Sequence, residues 1–212
     1  MTKISEIETV FSLLEETHPL TMLEELGHYS AFQMLVMTML SARAKDSTTI
    51  PIVKEMFSKY PEPQDYVDMD LEELKKIIYK IGFFRVKAKN LKALSKKLID
   101  EFNGVVPQTL EELTSLPGVG RKTANCLLAY KFNIPAIAVD VHVHVIANRL
   151  GWINTTTPEK SEFALRKLVP RELWIDVNRL FVGHGQQVCS SPKPKCKICP
   201  ITNYCRYFKK HF

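Results

Sequence analysis

Residues Leu113–Ala124 read LTSLPGVGRKTA. Leu113 and Leu116 are apolar anchors at the end of one helix. Pro117-Gly118-Val119-Gly120 then forms a tight turn, since glycine accepts torsions and close approaches that a Cβ blocks. Arg121 opens a second helix. Backbone N–H groups at such a start, assisted by the helix dipole, favour an anion such as phosphate. An ordinary helical hairpin shares the turn, but it does not require this spacing of anchors, glycines and Ala124.

The spacing is that of a helix-hairpin-helix, the pattern of sequence-independent DNA binders. Charge agrees with it. The net charge is +6, and it is uneven: residues 1–70 hold 5 basic and 12 acidic side chains, whereas residues 71–212 hold 24 and 11. Nine Lys or Arg and no carboxylate lie between Lys75 and Lys97. Such a run alone is a solvated helix face; beside the hairpin it suggests a polyanionic partner. With 8 Gly and 12 Pro in 212 residues the chain is not low-complexity. No apolar run reaches the roughly 18–20 residues of a membrane helix, and the acidic MTKISEIETVF start lacks the pattern of a signal peptide. These features lead us to expect a soluble, cytoplasmic, nucleoid-associated protein with no membrane partner.

Outward from the hairpin the apolar period is helical. Ile7, Val10, Phe11 and Leu14 repeat at helix spacing, as do Met34, Leu35, Thr38 and Met39. Leu71, Leu74, Ile77, Ile78 and Ile81 follow, then Leu91, Leu94 and Leu98. Strand-like alternation is confined to Val139–Val145. There the acidic start and the following IANRL favour a helix capped at Asp140. Loops are marked by Pro61-Glu62-Pro63, Asn103-Gly104 and Ser191-Pro192-Lys193-Pro194. The expectation is an all-α protein of about ten helices.

Three groups carry chemistry. Lys122 follows the hairpin: it is either a phosphate contact or an amine nucleophile, which requires the uncharged form. Asp140 is either only an N-cap or a carboxylate that stabilises positive charge and moves protons. Four of five cysteines are clustered as C-x6-C-x2-C-x5-C: Cys189, Cys196, Cys199 and Cys205. Four thiolates suit zinc or an iron–sulfur cluster, and the array has only one of the C-x2-C pairs commoner in zinc sites. Lys193, Lys195 and Lys197 in that loop could touch a DNA backbone. Cys126, alone in an apolar stretch, reads as core.

Together LPGVGRKTAN (116–125), AVDVHVHVIANRLGW (138–152) and LFVGHGQQVC with the later cysteines resemble the endonuclease III family of helix-hairpin-helix DNA glycosylases. LSARAKDS (40–47) and IGFFRVKAKNL (81–91) are similar to two further family segments. The VDVHVH…NRLGW wording looks closer to archaeal and eukaryotic members. The resemblance implies two helical domains flanking a DNA cleft: a six-helix barrel with the hairpin over residues 24–132, and a discontinuous iron–sulfur cluster domain from 1–23 and 133–212. It implies that Lys122 and Asp140 are catalytic and that Cys189, Cys196, Cys199 and Cys205 hold a [4Fe–4S] cluster. Leu116, Gly118, Val119, Gly120, Arg121, Arg43, Phe83, Lys193 and Lys195 become candidate DNA contacts. The partner is double-stranded DNA with damaged bases or abasic sites, bound by a monomer.

The implied activity is bifunctional: removal of an oxidised pyrimidine through a Lys122 Schiff base, then β-elimination. The alternatives are a uracil or thymine mismatch glycosylase, whose members usually lack the hairpin lysine, and a non-catalytic DNA-binding module with a structural metal. The chain departs from the family at Arg43, where Gln is common, at Lys45, where Thr is common, and at Phe83, where Leu is frequent. These departures bear on the base opposite the lesion. His144 and His184 read as satisfied packing histidines, and Val143 and Val145 as core.

Overall fold

In a computed structural model of the chain, residues 3–17 and 28–212 are described. Every regular element among them is helical: twelve α-helices and three 3-10 turns. The helices are α1 Lys3–Glu15, α2 Ala31–Ser41, α3 Asp46–Lys59, α4 Pro63–Asp68, α5 Leu71–Ile77, α6 Phe84–Phe102 and α7 Leu110–Ser115. They continue with α8 Arg121–Tyr130, α9 Val141–Leu150, α10 Pro158–Leu168, α11 Trp174–Gln187 and α12 Arg206–His211. No helix among the described residues is long and apolar enough to cross a membrane. Two compact units result, Leu26–Phe132, and Met1–Glu25 with Asn133–Phe212. The expected boundary at residues 23 and 24 lies outside the described residues.

In the first unit α2 is apolar almost all round and accordingly buried, from Phe32 to Leu40 with little interruption. Ser30 and Gln33 close a reciprocal capping box at its start. The apolar pattern running through residues 71–98 is broken by a turn at Gly82-Phe83, with Phe83 in the left-handed region at φ 61°. Downstream, α6 packs against α2, α4 and α5 and ends at the expected Asn103-Gly104, both at positive φ.

The basic run on α6 corrects a reading made from charge. Three of its lysines turn inward, to carbonyls at the ends of other helices. Lys87 Nζ donates to Leu40 O and Ala42 O, both at 2.7 Å, at the end of α2. Lys92 Nζ donates to Val67 O at 2.5 Å and Met69 O at 2.6 Å, at the end of α4. Lys97 Nζ donates to Ser115 O at 3.1 Å, at the end of α7. Residues five apart on a helix differ by about 140° in direction, so the three lysines serve three sides of α6. Each places positive charge where the helix dipole is negative.

In the second unit Ile7, Val10, Phe11 and Leu14 of α1 join one core with residues of α9, α10 and α11. Phe11, Trp152 and Phe181 pack as a mutual trio with ring centroids 5.5–5.9 Å apart. Trp152 Nε1 donates to Glu6 Oε1 at 2.9 Å, and Arg179 on α11 donates to Glu15 at 2.8 Å. The N-terminal helix thus belongs with sequence more than a hundred residues away, because that sequence holds the partners for its apolar stripe. Val143 is buried as expected, whereas Val145 is only half-buried.

Candidate active site

The hairpin forms between α7 and α8. Leu116, an expected apolar anchor, is 2% exposed and Val119 7% exposed, so the side chains of these two candidate DNA contacts are packed inside the unit. Val119 N donates to Leu116 O at 3.1 Å and closes the turn. Gly118 is held at φ +80°, and a Cβ there would lie 2.8–3.1 Å from the Asn90 side chain. Both torsion and packing demand glycine. Gly120 differs: its φ is −93° as the N-cap of α8, and a Cβ on it would meet nothing within 4 Å. Glycine is not needed there for folding; its bare Cα leaves the start of α8 open to approach. No side chain caps this end. Arg121 and Lys122 fill the first two helical positions, Arg121 half-buried and Lys122 exposed.

Asp140 caps α9 as the pattern predicts, Oδ1 accepting from Val143 N at 2.9 Å. The other carboxylate oxygen has no partner among the described residues, so capping and chemistry are compatible at this side chain. Lys122 and Asp140 lie in different units. His144, one turn beyond Asp140, is satisfied through Ser161 Oγ at 2.6 Å, in keeping with a packing role.

Arg43 and Phe83 belong to the first unit. Both are non-glycine residues at positive φ, 54° and 61°, a strained conformation that surrounding structure must impose. Phe83 is 64% exposed, and Arg43 and Lys45 are exposed.

Cys189, Cys196, Cys199 and Cys205 line one cavity, closed by Ile146, Ile201 and Phe208 among others. The described cysteines form no disulfide. No three His, Cys, Asp or Glu among the described residues converge to hold a single metal ion. Burial pushes the Cys199 thiol up to about 11. Burial also raises Cys189, against the lowering effect of Arg149. Two contributors escaped sequence reasoning. Arg149 donates to Cys189 O at 3.2 Å, Cys189 Sγ at 3.2 Å and Ser190 O at 3.1 Å, and it stacks on Tyr207. His184, fully buried, sets Nε2 3.5 Å from Cys199 Sγ. Nothing in the spacing of NRLGW or VGHGQ signals these contacts. Lys193, Lys195 and Lys197 are exposed on the same loop. Cys126 is buried core, as expected.

Residues 36–171 match the HhH-GPD superfamily of base excision DNA repair proteins. The chain is 42% identical over 179 residues to endonuclease III of Thermotoga maritima, covering 84% of each sequence. It belongs to the endonuclease III family. Endonuclease III of Bacillus subtilis is 40% identical and spans 88% of this chain and 85% of its own. A solved structure of a trapped endonuclease III–DNA covalent intermediate is 37% identical, covers 99% of this chain and 98% of its own, and superposes with a TM-score of 0.88. The superfamily match includes Arg43, Phe83, the hairpin, Lys122 and Asp140 and stops before the cysteines; the endonuclease III structure extends the likeness over them.

Proposed function

We propose that this endonuclease III family member is a DNA glycosylase and abasic-site lyase of base excision repair, acting on oxidised pyrimidines in double-stranded DNA. The observation that carries the reading is Lys122, exposed on the first turn of a helix whose Gly120 start is open without any folding need. A phosphate at that helix start would bring a nucleotide beside the lysine amine. The relative trapped as a covalent DNA intermediate supports a nucleophilic role.

The damaged nucleotide leaves the stack. Uncharged Lys122 Nζ attacks C1′, the C1′–N bond breaks, and the base departs with the bonding electrons and gains a proton. Asp140, through the oxygen not used in capping, stabilises the developing positive charge on the sugar and relays protons. Nζ then gives up a proton, the C1′–O4′ bond breaks with O4′ taking a proton, and a protonated Schiff base forms between Nζ and C1′. It acidifies C2′; loss of a C2′ proton breaks the C3′–O bond and expels the 3′ phosphate, and water later hydrolyses the C=N bond to free the lysine. Arg43 and Phe83 are assigned to the gap left by the flipped base, and Lys193 and Lys195 to phosphates.

The four cysteines would hold a [4Fe–4S] cluster. Four thiols around one cavity, with no carboxylate lining it, suit such a cluster by their donor chemistry. The cluster's contribution when bound is structural, tying down the basic loop. Binding as a monomer in the nucleoid-associated cytoplasm completes the proposal.

Borohydride trapping on an abasic duplex tests it. The wild type should form a covalent adduct that Lys122→Ala abolishes while binding stays near normal. An adduct that survives in the variant removes Lys122 as the nucleophile. No adduct from the tightly binding wild type would favour a mismatch glycosylase or a non-catalytic binder, which a mismatch panel cleaved with hot alkali separates.

A further inference from the structure

We propose that Lys87 is a positioning residue that locks the Arg43 turn and the Phe83 turn into one insertion element, and so sets discrimination of the base opposite the lesion. The inference rests on the glycosylase–lyase reading and assigns a role within its DNA site.

Among the lysines of α6 only Lys87 is buried, at 7% exposure, and it reaches both turns. Its backbone N–H donates to Phe83 O at 3.1 Å. Its ammonium donates to Leu40 O and Ala42 O, 2.7 Å each, the carbonyls flanking Ser41 just before Arg43. Ala44 N closes the turn onto Ser41 O at 3.0 Å. The turns also touch directly, since a Cβ on Gly82 would lie 3.3 Å from Arg43 O. Two non-glycine residues at positive φ therefore face solvent from a common support. Left-handed torsions in non-glycine residues are costly and persist only where neighbours over-determine them. A buried ammonium bonded to two carbonyls is such a neighbour. Without it, the end of α2 would lose its cation, and the Arg43 turn would lose its fixed register against Phe83.

Lys92 provides the control. It makes the same kind of contact, to the end of α4, on the same helix, but it touches neither turn. Single-turnover cleavage is measured on abasic duplexes with each of the four bases opposite, for wild type, Arg43→Ala, Lys87→Met, the double variant and Lys92→Met. Lys87→Met should shift the ratio of rates among the four bases in the same direction as Arg43→Ala, by about tenfold, a coupling usual for contacting residues. The double variant should shift it no further. Lys92→Met should lower the unfolding midpoint and leave the ratio at the wild-type value. Gly82→Ala, which presses a methyl on the Arg43 carbonyl, should reproduce the shift even if Lys87→Met fails to fold. A wild-type ratio in both Lys87→Met and Gly82→Ala, or effects of Lys87 and Arg43 that simply add, overturns the proposal. Wild-type cleavage itself tests the enzyme reading, so the two failures are distinguishable.

Discussion

Asp140 caps α9 with one oxygen and, in the proposed mechanism, acts on the sugar with the other; substitution can separate the two. Asparagine caps a helix about as well as aspartate, so Asp140→Asn should keep α9 and the protein's stability. It lacks the negative charge, and base release should slow by orders of magnitude, because charge stabilisation in a preorganised site is commonly worth several kcal/mol. Asp140→Ala should in addition lose about 1 kcal/mol of stability with the cap. Single-turnover kinetics beside urea unfolding checks the pair; normal base release from a folded Asp140→Asn removes the carboxylate from the mechanism. The hairpin glycines give a second contrast. Gly118→Ala meets both an unfavourable φ and the Asn90 side chain, and should destabilise by about 1–3 kcal/mol. Gly120→Ala meets neither. It should leave the unfolding midpoint within about 0.5 kcal/mol of wild type while weakening abasic-duplex binding. Equal stability losses in the two would contradict the division between a folding glycine and a ligand-facing one.

Helix α6 shows why a run of like charges is a poor guide to a binding face. Lys87, Lys92 and Lys97 are committed to carbonyls of α2, α4 and α7, and Lys96 pairs with Asp100 at 2.8 Å. Carbonyl-bonded ammonium groups are not available to release counterions from DNA. Lys92→Met should therefore cost about 1–3 kcal/mol of stability yet leave the slope of log K against log salt unchanged. Lys193→Gln, on the exposed cysteine loop, should leave stability alone and reduce that slope by about 1. Titration of abasic-duplex binding across salt concentrations checks both; a slope reduced in Lys92→Met would mean that its ammonium faces phosphate after all.

Each unit has its own core, and the four clustered cysteines belong to the discontinuous one. Protein purified without air should contain iron and inorganic sulfide in equal amounts, near four of each per chain. Cys199→Ser should lower both, and hydrogen exchange across residues 189–205 should rise, since metal-stapled loops have little core of their own. Zinc in place of iron, or a fully metallated Cys199→Ser protein, would overturn the cluster assignment. The pairing of α1 with Asn133–Phe212 is apolar at its centre, where Phe11 completes the Trp152–Phe181 group, and polar at its edges, where Trp152 and Arg179 donate to Glu6 and Glu15.

Local chemistry was legible along the chain wherever neighbours in sequence settle it. The helical period, the Asp140 cap, the Gly118 turn, the stop at Asn103-Gly104 and the cysteine spacing each depend on a few adjacent residues and on backbone geometry. Long-range partners were not legible. That Lys87 and Lys92 point inward, that Arg149 and His184 stand against the cysteine sulfurs, that Val119 is buried, and that Gly120 meets no neighbour all depend on which surface the folded chain brings opposite them. A lysine's charge and its long stem are compatible with solvent, phosphate or a helix end alike. The choice among them is made by distant carbonyls, whose positions no local pattern encodes.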